Sequence, residues 1–145
     1  MLGMVIVSHS EKIAQGVREL ALQMAKDVNI VPAGGLCDGG IGTDLEKIMN
    51  GISEADSGEG VIVFMDLGSA VMTTEMAIDM VENDVTMIDG PVVEGGIAAA
   101  VTIMSGGSIE DIKKAVDECK TINKFQVYLS LSYLTLYLRI NIIKI

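Results

Sequence analysis

Four short apolar runs are spaced along the chain, and each is followed by a turn and then by helical periodicity. The runs are MVIV at 4–7, VNIVPA at 28–33, GVIVFM at 60–65 and VTMI at 85–88. Near-continuous apolar strands are typical of a parallel sheet that is covered on both faces. The pattern therefore predicts an α/β fold, a three-layer sandwich in which helices cover both faces of a mainly parallel, four-stranded sheet.

Helix start signals lie between these runs. Ser10 precedes an apolar stripe at helical spacing, and a Thr-x-x-Glu pattern that begins at Thr43 is typical of a capping box. Ser69 and Ser108 are predicted to cap two later helices. Pro91 suits the first turn of another helix, although two glycines are expected to weaken its middle. The sequence thus predicts four alternations of strand and helix, with one extra helix.

The composition changes near residue 126. All twenty acidic residues, all sixteen glycines and all ten methionines precede it, whereas all three tyrosines follow it. We therefore expect one domain at 1–125 and a β-prone tail at 126–145, which is either an added strand or a non-native extension. No apolar run in the tail approaches the roughly 20 residues that are needed to cross a bilayer.

The net charge and the cysteines exclude several classes of partner. A formal charge of -10 repels nucleic acids, anionic membranes and free nucleotides, so proteins are the expected partners. Cys37 and Cys119 have no CxxC spacing and no histidine ligands beside them. We therefore expect no metal site and a reducing, cytoplasmic location.

Four strand-to-helix loops are predicted to gather at one edge of the sheet. They are Ser8-His9-Ser10, the glycine-rich stretch 33–44, MDLGS at 65–69 and DGPVVEGG at 89–96. Ligands of open α/β sheets bind beyond the carboxyl ends of the strands, where such loops meet. This places His9, the only histidine, at the functional edge.

The chemistry of His9 has two readings. Either it is an unremarkable polar residue, or its imidazole accepts a phosphoryl group while a carboxylate holds the opposite ring nitrogen. Asp66 is the candidate carboxylate, and the alternative is that it only forms a turn before a helix. The absence of GxSxG argues against a Ser-His-Asp hydrolase, and neither GxGxxG nor GxxxxGK[ST] occurs.

Four sequence blocks, in this order, resemble a known family. They are VIVSHS with His9, GGIGTD with Thr43, MDLGSA with Asp66 and Ser69, and PVVEGGIAAA with Glu94. Over about residues 3–125 the chain is similar to the phosphotransferase subunit of phosphoenolpyruvate-dependent dihydroxyacetone kinase, whose amino-terminal domain resembles mannose-type IIA domains. Mannose-type domains have glycine directly after the histidine, so Ser10 and MDLGSA favour the dihydroxyacetone branch.

The resemblance implies that His9 carries a phosphoryl group, with Asp66 as its catalytic partner. HPr would load the histidine, a nucleotide-binding subunit would receive the phosphate on ADP, and a dihydroxyacetone-binding subunit would use the ATP. The family also implies a homodimer. We expect no cofactor on this chain itself, with Mg-ADP or Mg-ATP held by the partner.

The predicted loops contain no Lys or Arg, so neutral groups must support a phosphoryl group. The candidates are the hydroxyls of Ser10, Thr43 and Ser69 and the backbone N–H groups at the helix start near Gly68. Gly68 either permits close approach of a phosphate or provides a positive φ in a turn.

Two other functions remain open from the sequence. One is a mannose-type IIA carrier, which passes its phosphoryl group to a sugar-specific IIB protein. The other is a regulatory binding module, in which phosphorylation of His9 only switches a partner.

Overall fold

The computed structural model describes residues 1–125, and its elements follow the predicted alternation. The strands are β1 (Gly3–Ser8), β2 (Ile30–Gly34), β3 (Val61–Met65) and β4 (Val85–Ile88). The helices are α1 (Glu11–Leu22), α2 (Leu45–Ala55), α3 (Gly68–Met80), α4 (Val92–Met104) and α5 (Ile109–Lys120). The tail at 126–145, with its predicted extra strand, lies outside the described residues.

The four strands pair in parallel in the order β2-β1-β3-β4, which confirms the predicted sheet. The chain leaves β1 toward β2 on one side, and it leaves β3 toward β4 on the other. The loops after β1 and β3 therefore begin at adjacent strands and run in opposite directions. Such a point of reversal opens a crevice at the carboxyl ends of the strands, where α/β proteins bind their ligands.

Alternate residues of β1 belong to two separate cores. Met4 and Ile6 pack on the face that α1, α4 and α5 cover, while Val5 and Val7 pack on the face that α2 and α3 cover. All six residues of β1 are buried. Burial on both faces accounts for the lack of alternation in the strand sequences and confirms the three-layer architecture.

The paired glycines of α4 allow that helix to lie close to the sheet. A Cβ atom on Gly95 would lie 3.1 Å from Cε1 of Phe64, and one on Gly96 would lie 3.4 Å from Cγ1 of Val17. Both glycines are buried within the helix. The glycines that were expected to weaken α4 thus allow its close packing against β3 and α1.

Two of the predicted helix caps are confirmed. The hydroxyl of Ser10 accepts a hydrogen bond from the N–H of Ile13 at the start of α1. Ser108 and Asp111 exchange side-chain and backbone hydrogen bonds at the start of α5, as in a capping box.

The other predicted starts are wrong by one or two residues. Asp44, not Thr43, caps α2, because its carboxylate accepts from the N–H of Lys47 at 3.0 Å. Ser69 does not cap α3, which begins after Leu67 without a side-chain cap. Pro91 is the residue before the first turn of α4 and does not lie within it.

Within residues 1–125, no helix combines the length and the hydrophobicity that a membrane span requires.

Candidate functional site

His9 and Asp66 are brought together by the pairing of β1 with β3. His9 follows the last residue of β1, Asp66 follows the last residue of β3, and the register pairs Val7 with Met65 just before them. The two side chains therefore project from adjacent strand ends at the reversal point of the sheet. Nδ1 of His9 lies 2.9 Å from Oδ1 of Asp66.

The carboxylate of Asp66 accepts four hydrogen bonds. Oδ2 accepts from the hydroxyl of Ser8 at 2.8 Å and from the N–H of His9 at 3.0 Å. Oδ1 accepts from the N–H of Leu67 at 2.8 Å and from the His9 ring. Burial alone would raise the pKa of Asp66, but these hydrogen bonds outweigh it and lower the pKa below its ordinary value.

The ionised carboxylate determines the tautomer of the neutral imidazole. A carboxylate without a proton only accepts hydrogen bonds, so Nδ1 of His9 must carry the proton and donate it to Asp66. Nε2 is then left with a lone pair. The second nitrogen of the ring is thus the nucleophilic or basic atom of this site.

The hydroxyl of Ser69 forms a hydrogen bond with Nε2, the second nitrogen of the ring. Its hydroxyl oxygen lies 2.7 Å from Nε2 of His9, and because Nδ1 holds the ring proton, the hydroxyl donates to Nε2. The His9 side chain is 22% exposed and that of Asp66 is 17% exposed, while Ser69 is exposed. The accessible side of the ring is therefore the side that carries the lone pair.

Ser8 is a site residue that was absent from the predicted set. It is fully buried, and its hydroxyl both donates to Asp66 and accepts from the N–H of Ser10 at 3.1 Å. The sequence did contain a signal for it. Ser8 and Asp66 are the first polar residues after two adjacent apolar runs, and parallel pairing places them opposite each other.

Gly68 begins α3 with ordinary backbone geometry. Its φ is not positive, which excludes the turn interpretation, and a Cβ atom there would meet no atom within 4 Å. The N–H groups of Gly68 and Ser69 have no hydrogen-bond partner among residues 1–125. Open space and two available donors therefore lie at the start of α3, next to the contact between Ser69 and His9.

Thr43 and Ser10 are placed near His9, but their hydroxyls make other contacts. Thr43 shares a hydrogen bond of 2.9 Å with the hydroxyl of Thr73 in α3, and Thr73 donates to the carbonyl of Ser69. Ser10 caps α1. Thr43 thus links the second loop to α3, and the same loop is tied to His9 by the N–H of Gly42, which donates to the His9 carbonyl.

The fourth predicted loop lies beyond β4 and makes different contacts. Glu94 forms an ion pair with Lys124 at 3.0 Å, and Asp89 forms one with Lys120 at 3.3 Å. The backbone N–H of Glu94 and the cation of Lys124 lower the pKa of the Glu94 carboxyl. None of these described contacts reaches His9, so the first three loops form the site.

No Lys or Arg side chain among residues 1–125 makes a hydrogen bond or an ion pair with the side chain of His9 or Asp66. The ammonium of Lys47 donates instead to the carbonyls of Gly34 and Leu36. Two clefts, one beside α2 and one at the amino end of the sheet, have no lining residue among His9, Asp66 and Ser69. Among residues 1–125, no three His, Cys, Asp or Glu side chains cluster in a way that suits a metal ion.

The chain matches a described family and several named relatives. The family described as PTS system fructose IIA component matches residues 3–113. The phosphotransferase subunit DhaM of PTS-dependent dihydroxyacetone kinase from Lactococcus lactis is 35% identical over 116 residues, which are 80% of this chain and 94% of that protein. A phosphoryl donor subunit DhaM from Listeria innocua is 37% identical, and the match covers 77% of this chain and 94% of that subunit.

Two further matches extend the comparison. The phosphoryl donor subunit DhaM from Escherichia coli is 37% identical over 120 residues, but this match covers only 25% of that longer protein. The crystal structure of EF1359, a protein of unknown function, superposes with a TM-score of 0.75 at 36% identity. That superposition covers 85% of this chain and 100% of the solved one.

Proposed function

The chain belongs to the family of PTS system fructose IIA components, and from this premise we propose that it is the phosphohistidine carrier of a phosphoenolpyruvate-dependent dihydroxyacetone kinase. His9 accepts a phosphoryl group from HPr and passes it to ADP on a separate nucleotide-binding subunit. The regenerated ATP then phosphorylates dihydroxyacetone on a third subunit. In this role the protein acts in the cytoplasm as a homodimer. The names of the relatives, which are subunits of dihydroxyacetone kinases, support the choice of kinase.

One observation carries the chemical part of the proposal. Asp66 holds the proton of His9 on Nδ1, 2.9 Å away, which leaves Nε2 as a nucleophile on the exposed side of the ring. Nε2 attacks the phosphorus atom of the donor, the new N–P bond forms, and the bond from phosphorus to the donor breaks. Nδ1 keeps its proton throughout, and the Asp66 carboxylate balances the positive charge of the phosphorylated ring.

Ser69 must release Nε2 before the attack, because its hydroxyl donates to the same lone pair. Rotation of this side chain frees the hydroxyl to donate to a phosphoryl oxygen. The unpartnered N–H groups of Gly68 and Ser69 lie at the positive end of α3 and provide two more neutral donors. Catalysis of phosphoryl transfer depends mainly on such positioning and charge stabilisation.

Neutral donors suit a carrier better than fixed cations do. Each 1.4 kcal/mol of extra stabilisation for the phosphorylated form changes the transfer equilibrium about tenfold. The described surroundings of His9 hold no Lys or Arg in hydrogen-bond contact with the ring or with Asp66. The cations that stabilise the transferring group, including Mg²⁺ with the nucleotide, therefore come with the partner proteins.

The surface around His9 supports a protein as the reacting partner. Three exposed apolar side chains lie in or next to the loops that form the site: Ile13 in the first turn of α1, Ile41 in the second loop and Leu67 in the third. Neither of the two clefts described above is lined by His9. Exposed apolar side chains grouped on one face of a protein are typical of a docking surface for another protein.

The proposal is tested by reconstitution of phosphoryl transfer. The wild-type chain and the His9→Ala variant are incubated with phosphoenolpyruvate, enzyme I and HPr, and their intact masses are measured. We expect one phosphoryl group on the wild type and none on the variant. Addition of the ADP-loaded nucleotide-binding subunit should then remove the group and produce ATP. A phosphoryl adduct on both chains would overturn the assignment to His9.

A second candidate is a sugar-specific IIA carrier, which the description of the matching family favours. In that case the phosphorylated chain would pass its group to a IIB protein. The two candidates are separated by offering both acceptors to the same phosphorylated sample. Faster loss of phosphate to the IIB protein than to the ADP-loaded subunit would favour the sugar carrier.

A further inference from the structure

Asp66, His9 and Ser69 form a continuous hydrogen-bonded row. Oδ1 of Asp66 lies 2.9 Å from Nδ1 of the ring, and Nε2 lies 2.7 Å from the hydroxyl oxygen of Ser69. Burial decreases along the row, from the carboxylate, which is 17% exposed, to the exposed serine. This is the connectivity by which Ser-His-Asp hydrolases activate a serine, and such triads are recognised by geometry and not by sequence order.

We propose that, while His9 is unphosphorylated, Ser69 is a nucleophile activated by His9 and Asp66, and that the protein hydrolyses small, activated esters through an acyl-Ser69 intermediate. This activity goes beyond the carrier function. It uses the same imidazole but no phosphoryl donor and no partner protein. The two activities exclude each other, since a phosphoryl group on Nε2 removes the base that Ser69 needs.

The proposed reaction balances with water as its only co-reactant. The Ser69 oxygen attacks the carbonyl carbon of the ester while its proton moves to Nε2 of His9. When the bond to the leaving alcohol breaks, that proton passes to the alcohol oxygen. Water then attacks the acyl group with the same ring as base, and the proton returns to Ser69 as the acid leaves. Asp66 keeps the proton on Nδ1 and stabilises the transient imidazolium.

The start of α3 supplies donors for the negative oxygen of the intermediate. The N–H groups of Gly68 and Ser69 have no partner among residues 1–125, and the helix behind them has 13 residues. Donation by the nucleophile's own N–H and by one close before it is the arrangement found in chymotrypsin-like proteases. The open space at Gly68 leaves room for the carbonyl group.

The absence of GxSxG does not contradict this geometry. That motif permits a strained turn that exposes the serine between a strand and a helix. Here Ser69 lies in the first turn of α3, shortly after the end of β3, and is exposed within a regular helix. The glycine positions of the motif are occupied by Leu67 and Val71, which a regular helix start tolerates.

A fluorophosphonate probe tests whether Ser69 is activated. The serine oxygen would form a bond to phosphorus, fluoride would leave, and the proton would move to His9. We expect intact-mass and peptide analysis to find one adduct, at Ser69, with none in Ser69→Ala and labelling at least about tenfold slower in His9→Ala. Ser105→Ala is the matched control and should label normally, because Ser105 is exposed and its hydroxyl donates to the carbonyl of Val101. Absence of an adduct, or equal labelling in His9→Ala, would overturn the proposal.

Hydrolysis of p-nitrophenyl acetate provides a second measurement. A free imidazole attacks this ester directly, so Ser69→Ala is the decisive variant. We expect it to lose turnover and to lack an acyl-enzyme adduct, whereas full activity in Ser69→Ala would mean that His9 reacts alone. Phosphorylation from HPr is measured on the same samples. Normal phosphorylation without probe labelling rejects only the esterase, and labelling without phosphorylation rejects only the carrier.

Discussion

Nδ1 of His9 lies 2.9 Å from Oδ1 of Asp66, although the two residues are 57 positions apart in the chain. Parallel pairing of β1 with β3 creates this contact, because each residue directly follows the end of its strand. The contact fixes which ring nitrogen is free. The loop after β1 supplies His9 and the loop after β3 supplies Asp66. The point where the strand order reverses is therefore also the point where the reactive pair is assembled.

Replacement of Asp66 by Asn is expected to slow the acceptance of phosphate from HPr by about 10²- to 10⁴-fold. An amide at this position no longer requires the proton on Nδ1, so the wrong tautomer becomes populated. Rapid-quench measurement of phosphorylation gives the rate. Asp89→Asn changes a carboxylate beyond β4 and should leave the rate unchanged. Equal rates in Asp66→Asn and the wild type would show that the carboxylate does not direct the ring.

Ser8→Ala is expected to lower both the stability and the rate of phosphate acceptance. The change removes a buried donor to Asp66 and leaves the N–H of Ser10 without its acceptor, at a cost of about 1–3 kcal/mol in the free energy of unfolding. Urea unfolding and phosphorylation kinetics are measured together. Ser10→Ala removes the cap of α1 at a cost of about 1 kcal/mol but leaves all four bonds to Asp66 in place. If both variants slow phosphorylation equally, Ser8 has no specific positioning role.

Thr43 and Thr73 are expected to stabilise the protein as a pair. Their hydroxyls share a hydrogen bond of 2.9 Å between the second loop and α3. A double-mutant cycle with Thr43→Val and Thr73→Val should give a coupling free energy of about 0.5–1.5 kcal/mol. Thr73 also donates to the carbonyl of Ser69, and the cycle separates this second bond from the first. Strictly additive effects would indicate that the contact contributes nothing.

The fold was predictable because strands that are buried on both faces have consecutive apolar residues. The four apolar runs correspond to β1 to β4, so the sequence predicted the order of the elements along the chain. It did not predict the order of the strands across the sheet. Lateral order depends on which helix packs on which face, and no local pattern records it. The pairing of His9 with Asp66 was nevertheless accessible, because both follow apolar runs directly.

The helix starts and the supporting hydroxyls were less predictable. Thr43 and Asp44 are adjacent, and both residue types are good helix caps. The conformation of the loop therefore decides which of the two caps α2. Ser69 had the sequence context of a cap, but its hydroxyl instead contacts a ring from another strand end. Contacts between segments that are distant in the chain decide which partner such a hydroxyl has. Local sequence patterns do not reveal those contacts.

The contribution of Asp56 to stability is expected to depend on pH. Hydrogen bonds from the side chain of Asn83 and from the N–H of Gly58 lower the pKa of this carboxyl. Because the folded pKa lies below the unfolded value of about 3.9, the stabilisation is complete above that value and is lost as pH falls through the folded pKa. Urea unfolding of the wild type and Asp56→Asn between neutral pH and strong acid measures this. A difference between the two proteins that persists unchanged at the lowest pH would contradict it.

Gly68→Ala is expected to stabilise the fold and yet impair phosphoryl transfer. The new methyl group meets no atom within 4 Å, and the residue has an ordinary φ at the start of α3, so the free energy of unfolding should rise by about 0.4–1 kcal/mol. The same methyl group occupies the space that an incoming phosphoryl group needs, and we expect transfer from HPr to slow about tenfold, which corresponds to 1.4 kcal/mol. Gly16→Ala in α1 is the matched control, because that glycine also meets no atom within 4 Å. It should gain stability and transfer normally, and unimpaired transfer in Gly68→Ala would mean that the open space at α3 is not where phosphate approaches.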